Sequence, residues 1–311
     1  MNVLVTGGAG FIGSNLVEYF NREAPLTQIR VLDDFSTGKV ANLEGLDADI
    51  VKGDIADRRV VDAAMSGVDA VVHLGALGSV PRSVKDPVRS HEVNVNGTVN
   101  VLEAARRANA YVVYASSSSV YGANPKLPKN ERDWTRPMSP YAVNKLAGEA
   151  YVIAYQTAYN LQSLAFRFFN VFGPRQAADH DYAAVIPTFL HAALQGQPLP
   201  VHGDGQQSRD FTYVETVCET LYSAVTRRVV SPDPVNLAFG TNTTLLELIE
   251  AIKKVSDLEI SVDHNEPRVG DVRASQAEAK RLMNLFPDTA GVPLEDGIVR
   301  TLDWFRSSGT Y

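Results

Sequence analysis

The sequence predicts an α/β fold, a doubly wound parallel sheet followed by a smaller, mixed C-terminal region. Three observations carry this expectation. Short β-branched runs alternate with helical patterns, as parallel strands require because each needs a crossover connection. The opening stretch "NVLVTGGAGFIGSNLVEYF" passes from an apolar strand through a glycine turn into an amphipathic helix. At 311 residues the chain is long enough to bury one large α/β core with an appendage.

The first strand is expected at residues 2–6. Further strands follow at "IRVLDD", "DIVKGD", "DAVVHLGA" and "YVVYASS", with a helix over "PVRSHEVNVNGTVNVLEAARRAN" before the last of them. "LQSLAFRFFNVFG" and "PVNLAFG" read as two later strands, and the segments 171–213 and 257–275, rich in Pro, Gly and charge, read as irregular insertions. Insertions near the carboxyl ends of strands lie where open α/β sheets bind ligands.

Hydrophobic residues make up 45% and charged residues 21%, ordinary for a globular chain. A net charge of −7 argues against nucleic acid or an anionic membrane as a bulk partner. No apolar run approaches the roughly 18 residues of a membrane span, and no leader precedes the first strand, so a cytoplasmic location is expected. Cys218 is the only cysteine; its helical spacing in "YVETVCETLYSAV" points to packing. The six histidines show no metal-ligand spacing, and no metal is expected.

"TGGAGFIG" places Gly7, Gly10 and Gly13 at intervals of three between strand and helix. The first permits a tight turn, the second a close approach of pyrophosphate, and the third helix–strand packing. The positive helix N-terminus then favours the anion. Asp33, twenty residues after Gly13, ends the second strand. Its carboxylate suits ribose hydroxyls and repels a 2′-phosphate, and no Arg or Lys follows before Lys39, so NAD is favoured over NADP. Asp54 either accepts from the adenine amino group or caps the next helix. The expected division is residues 1–170 as an NAD-binding Rossmann domain, to which a strand near 234–239 returns, and 171–311 as mainly a substrate-binding region.

"SPYAVNK" carries the candidate chemistry. Ser139 suits an N-cap and Pro140 the first turn, which puts Tyr141 and Lys145 four apart on one helix face. A phenol has a pKa of about 10, and lowering it by ~3 units takes about 4 kcal/mol of preferential phenolate stabilisation. A lysine ammonium together with the positive nicotinamide of bound NAD is expected to supply it.

"TGGAGFIG", "SSSSVYG", "SPYAVNK", "RFFNVFGPRQ" and "GDGQQSRDFTYV" together resemble the extended short-chain dehydrogenase/reductase family, in its nucleotide-sugar epimerase and dehydratase branch. "LGSVPRSVKDP", "YAAVIP", "TTLLEL" and "GDVRASQAE" are similar to bacterial enzymes that epimerise UDP-N-acetylglucosamine at C4. The resemblance implies that Ser117, three residues before Val120, donates to the sugar O4 while Tyr141 moves its proton. Ser116 would face the cofactor. Ser118 and Ser119 fall where related dehydratases carry an Asp–Glu pair and decarboxylases a Glu, so the acid for either reaction is missing.

The same resemblance implies a cofactor site that includes Phe11, Ile12, Asp34, Ser36, Thr37, Gly38, Ile55, Leu74, Gly75, Ala76, Asn94 and Phe168. On the substrate side it implies Ser79, Ser118, Asn170 and Val185, with Val201 and His202 along the uracil. Arg209 and Arg268 would pair with the diphosphate, Asp271 with a ribose hydroxyl, and Ser275 would line the pocket near the sugar's C2 substituent. His73 is expected as a buried histidine beside the cofactor. The implied activity is NAD-dependent C4 epimerisation of a UDP-sugar by a homodimer formed through helices near 88–108 and 139–159. Alternatives are another NAD-dependent nucleotide-sugar enzyme, either a 4,6-dehydratase or a net oxidoreductase, and a non-enzymatic NAD sensor. Such a sensor would typically lack the Tyr or the Lys.

Overall fold

In the computed structural model, which describes residues 1–178, 183–266 and 273–309, the sheet strands follow one another much as the apolar runs predict. They are β1 (Asn2–Thr6), β2 (Gln28–Asp33), β3 (Asp49–Lys52), β4 (Ala70–His73), β5 (Tyr111–Ser117) and β6 (Ser163–Phe168). Four short pieces follow, β7 (Val171–Phe172), β8 (Leu199–His202), β9 (Ser208–Arg209) and β10 (Thr212–Tyr213), then β11 (Val235–Leu237), β12 (Thr243–Thr244) and β13 (Val262–Asn265). The central sheet is seven-stranded in the order β11-β6-β5-β4-β1-β2-β3, with every pairing parallel. Chain order reverses between β1 and β4, which opens a crevice at their carboxyl ends.

Alternation along the strands fills both faces, as a doubly covered sheet demands. Val3 and Val5 pack with Leu16, Val17 and Phe20 of α1 (Phe11–Glu23), whereas Leu4 packs with Val71, Val101, Leu102 and Val112 on the opposite face. Each such fully buried side chain contributes roughly 1.5–3 kcal/mol. The second face is covered by α2 (Arg58–Ala64) and by two helices described below.

Helix starts follow from local capping. Asp57, not Asp54, caps α2 by accepting from Arg59 N at 2.9 Å. The cap reading of Asp54 is therefore set aside: its Oδ1 closes a turn on Ala56 N at 2.8 Å, and its other oxygen pairs with Arg89. Ser79 caps α3 (Val80–Lys85) and Asp86 caps α4 (Pro87–His91). The single helix expected over 87–109 is interrupted. After α4 the backbone forms a π-type turn over Glu92–Asn96 before α5 (Gly97–Ala108). Its physical anchor is Asn94, whose amide clasps the Leu77 backbone at both N–H (2.7 Å) and C=O (3.1 Å).

Helix α6 (Pro140–Tyr159) begins as the motif predicts. Ser139 Oγ accepts from Ala142 N at 3.2 Å, Pro140 opens the first turn, and Asn160 stops the helix at φ 56°. Beyond the sheet come α7 (Val185–Leu194) and α8 (Val214–Arg227). The latter carries Cys218, 1% exposed, whose thiol is pushed up by burial. Helix α8 packs on α1 and reaches β4 and β5, so residues after 171 supply part of the sheet's own helical layer as well as β11. The insertions form small sheets: β7 with β10, β9 antiparallel to β12, and β8 parallel to β13. Among the described residues, no helix is long and apolar enough to cross a membrane.

Candidate active site

The crevice between β1 and β4 is built around backbone. Gly7 lies at φ +71°, and a Cβ there would come within 2.8 Å of the Gly75 backbone. A Cβ on Gly13 would stand 2.3 Å from Gly7 O. The turn and the entry to α1 thus admit no side chain, which leaves the helix N-terminus open to an anion. Gly7, Gly10, Asp33, Asp34, Ser36, Thr37, Asp54, Ile55, Leu74, Gly75 and Ala76 line one cleft there. Leu32, Gly53, Leu77 and Val93 complete it. Those four were missed because an apolar residue or a glycine at a strand end carries no signal of its own.

Asp33 is 7% exposed. Its Oδ2 accepts from Ala9 N at 2.9 Å and its Oδ1 from Phe35 N at 2.8 Å, so it also ties the glycine turn to β2. Burial pushes its carboxyl pKa up, against the pull of these two bonds. Each oxygen keeps a lone pair for a ribose hydroxyl. The cradle, the helix end and the carboxylate fit a dinucleotide. Around this cleft, Phe11 and Ile12 are half-buried in the first turn of α1, Gly38 backs onto Ala9, and Phe168 ends β6 half-buried.

Two expected cofactor contacts are corrected. Asn94 is 1% exposed with its amide committed to Leu77, so it shapes the cleft through the 74–77 loop instead of reaching into it. Ser116 does not turn its hydroxyl toward the cofactor. Period two along β5 puts it on the face of Val112 and Tyr114, where Oγ donates to Glu149 Oε2 at 2.9 Å.

Ser117, Tyr141 and Lys145 do come together. The Tyr141 phenol lies beside the Ser117 hydroxyl, and Ser117 Oγ accepts from Ser119 N at 3.2 Å. Lys145 is 5% exposed; its Nζ donates to Ala115 O at 2.7 Å and stands 6.0 Å from the Tyr141 ring centroid. Burial pushes this lysine down to about 8. The expected lowering of the phenol by Lys145 is not what the chain alone provides. Burial raises Tyr141, and the neighbouring Ser117 hydroxyl is the influence that lowers it. Ser118 is half-buried, and Ser119 Oγ is buried with no hydrogen-bond partner among the described residues.

On the substrate side, Asn170 (φ +31°) donates to Asp210 O at 3.1 Å, and Ser275 N donates to Ser208 O at 3.1 Å beside Arg209. Asp210, which sequence reasoning missed, organises this corner. It is 0% exposed and accepts from Gly240 N, Thr241 Oγ1 and Ala277 N at 2.8–3.0 Å. Its signal was a carboxylate between Arg209 and the aromatic stretch "FTYV". Val201 is corrected as a side-chain contact, since it is 0% exposed in the main core, whereas His202 next to it is half-buried with Nδ1 on Glu266 O. Ser79 (φ +97°) and Val185 open α3 and α7, both half-buried. Arg268 and Asp271 lie outside the described residues. His73, 1% exposed, sits between Thr6 and Thr98 at the base of the cleft, as expected of a buried histidine.

A parallel switch-point sheet, a side-chain-free glycine turn and a Ser–Tyr–Lys cluster at the next strand end define the extended short-chain dehydrogenase/reductase class. The chain belongs to the NAD dependent epimerase/dehydratase family, which matches residues 3–238. It is 36% identical to a UDP-glucose 4-epimerase of Mycolicibacterium smegmatis over 99% of both chains. Among solved structures it resembles the UDP-N-acetylglucosamine 4-epimerase of Methanobrevibacter ruminantium in complex with UDP-N-acetylmuramic acid. That likeness has a TM-score of 0.92 and 35% identity, over 99% of this chain and 98% of that one. It also resembles the UDP-glucose 4-epimerase of Thermus thermophilus in complex with NAD, with a TM-score of 0.87 and 35% identity over 99% and 100% of the two chains.

Proposed function

We propose that this enzyme is a UDP-sugar 4-epimerase that retains NAD and accepts N-acetylated hexoses. The observation that carries the reading is the placing of Tyr141 beside Ser117 at the end of β5, with the Lys145 ammonium 6.0 Å from the Tyr141 ring centroid, where positions 118 and 119 hold no carboxylate. In this reading Tyr141 removes the O4 proton and later returns it, while Ser117 donates to O4. Lys145 would offset the burial cost of the phenolate only together with the positive nicotinamide of bound NAD. Bound NAD would supply the hydride chemistry at C4. Gly7, Gly10 and the α1 N-terminus hold the pyrophosphate, and Asp33 holds the ribose and disfavours NADP. Arg209 and Arg268 grip the diphosphate as fork-shaped donors, which lets the 4-keto sugar turn over between the two transfers. Ser275 leaves room for a C2 acetamide. The enzyme works as a homodimer through the outer faces of α4–α6, where Val88 (78%), Val143 (50%) and Tyr151 (42%) stand exposed.

The test is to incubate purified protein with UDP-glucose, UDP-N-acetylglucosamine and UDP-glucuronate and separate the products. C4 epimers of the first two without net NADH support the reading. Accumulating NADH, or a product lacking the elements of water, overturns it.

A further inference from the structure

The end of β5 is stitched to α6 by two contacts one helical turn apart. Lys145 Nζ donates to Ala115 O at 2.7 Å, and Ser116 Oγ donates to Glu149 Oε2 at 2.9 Å. Consecutive strand residues thus meet helix positions i and i+4 immediately before Ser117. Glu149 is 3% exposed, and Arg167, also 3% exposed, answers its charge from β6, where it is the register partner of Ser116. The guanidinium meets the carboxylate through Nε at 3.0 Å and Nη2 at 2.6 Å, and its Nη1 donates to Glu131 O at 3.1 Å.

The proposed chemistry uses neither side chain. A buried ion pair is also a weak source of stability, because desolvation offsets its attraction and well-packed apolar residues often do as well. What a two-pronged fork does provide is geometry, since it tolerates little sliding or rotation. A slip of α6 by one residue would move Tyr141 by about 1.5 Å and 100°. Displacements of that order at a reacting group are worth roughly 10²-fold in rate.

We propose that Glu149 and Arg167 are positioning residues. Their ion pair holds α6 at one height and rotation on β5, so that Tyr141 and Lys145 meet Ser117. This rests on the reading of those three residues as the reacting set.

The test replaces the pair by Glu149→Met with Arg167→Met, which removes the fork without stranding a buried charge. The expected double variant melts no lower than the parent and keeps the UDP-sugar KM within about threefold, while kcat falls about tenfold or more. Tyrosine labelled with 13C at Cζ reads the same geometry without turnover. The Tyr141 resonance, assigned from Tyr141→Phe, should titrate at a different pH in the double variant. Ser116→Ala cuts only the link to β5 and should shift the Tyr141 titration in the same direction by less, which decides the matter if the double variant does not fold. Parental kcat and a parental Tyr141 titration would overturn the positioning role. A parent that epimerises no UDP-sugar would sink the functional reading instead, and the resonance comparison would still decide this one.

Discussion

The proton on His73 is assigned by its neighbours. Thr98 Oγ1 donates to Asn94 O (2.7 Å), so it accepts from His73 Nε2 (3.0 Å); Thr6 Oγ1 accepts from Gly75 N and turns its own proton to Nδ1 (2.7 Å). The ring is therefore the neutral Nε2–H tautomer. Burial, with the Lys145 ammonium acting in the same direction, pushes its pKa down to about 3. The unfolded imidazole titrates near about 6.5, so between these values the unfolded chain binds a proton that the folded one refuses. Stability should fall as pH drops through that window, by up to about 1.4 kcal/mol per unit from this group. Urea unfolding at pH 4, 5 and 6 for the parent and His73→Asn checks it; identical slopes would mean that the ring is charged in the fold. At the reacting groups, Tyr141→Phe should lower kcat by roughly 10²–10⁴-fold with little change in KM. Ser117→Ala should be more damaging than Ser118→Ala, and Ser119→Ala mild. A Tyr141→Phe enzyme within about threefold of the parent, or a dominant Ser119 effect, would refute the assignment.

Among elements, the glycine turn and α6 were legible because their determinants are local. Cap, proline and an i,i+4 pair lie within seven residues of "SPYAVNK". The turn's steric logic makes a sharp prediction. Gly13→Ala drives a methyl against Gly7 O and Gly8 Cα, at 2.3 and 2.6 Å, and neither is the end of a flexible side chain. Overpacking of this kind costs about 1–3 kcal/mol, so the variant should melt lower and release NAD on gel filtration. Retention of NAD at parental stoichiometry would show that the turn tolerates the methyl. The π-type turn over Glu92–Asn96 was not legible, because apolar spacing around it still reads as one helix. It is anchored by Asn94 on Leu77, seventeen residues earlier. Asp54 and Asp57 both suit a cap in "GDIADRR", and backbone conformation chose Asp57.

For the whole molecule, the corner proposed for the substrate is where distant segments converge, as Ser275 hangs from β9 by its backbone while Asp210 ties in residues 240, 241 and 277. Ser275→Tyr should fill the space proposed for the acetamide. Turnover of UDP-N-acetylglucosamine should then fall at least about tenfold with UDP-glucose largely spared, since only the former places an acetamide there. Equal losses on both sugars would remove Ser275 as the gate. By itself the sequence determined the order of strands and helices, the glycine cradle, Asp33 at the end of β2 and the Tyr141–Lys145 face. Each is encoded by periodicity, caps and turn residues within a few positions. Only the tertiary structure decided that Ser116 turns to Glu149, that Glu149 meets Arg167, that Val201 is core, and that Asp210 ties residues 240, 241 and 277 together. Their partners lie eighteen to sixty-seven residues away, and the choice among many acids, arginines and amides is made by which faces meet when the helices close on the sheet.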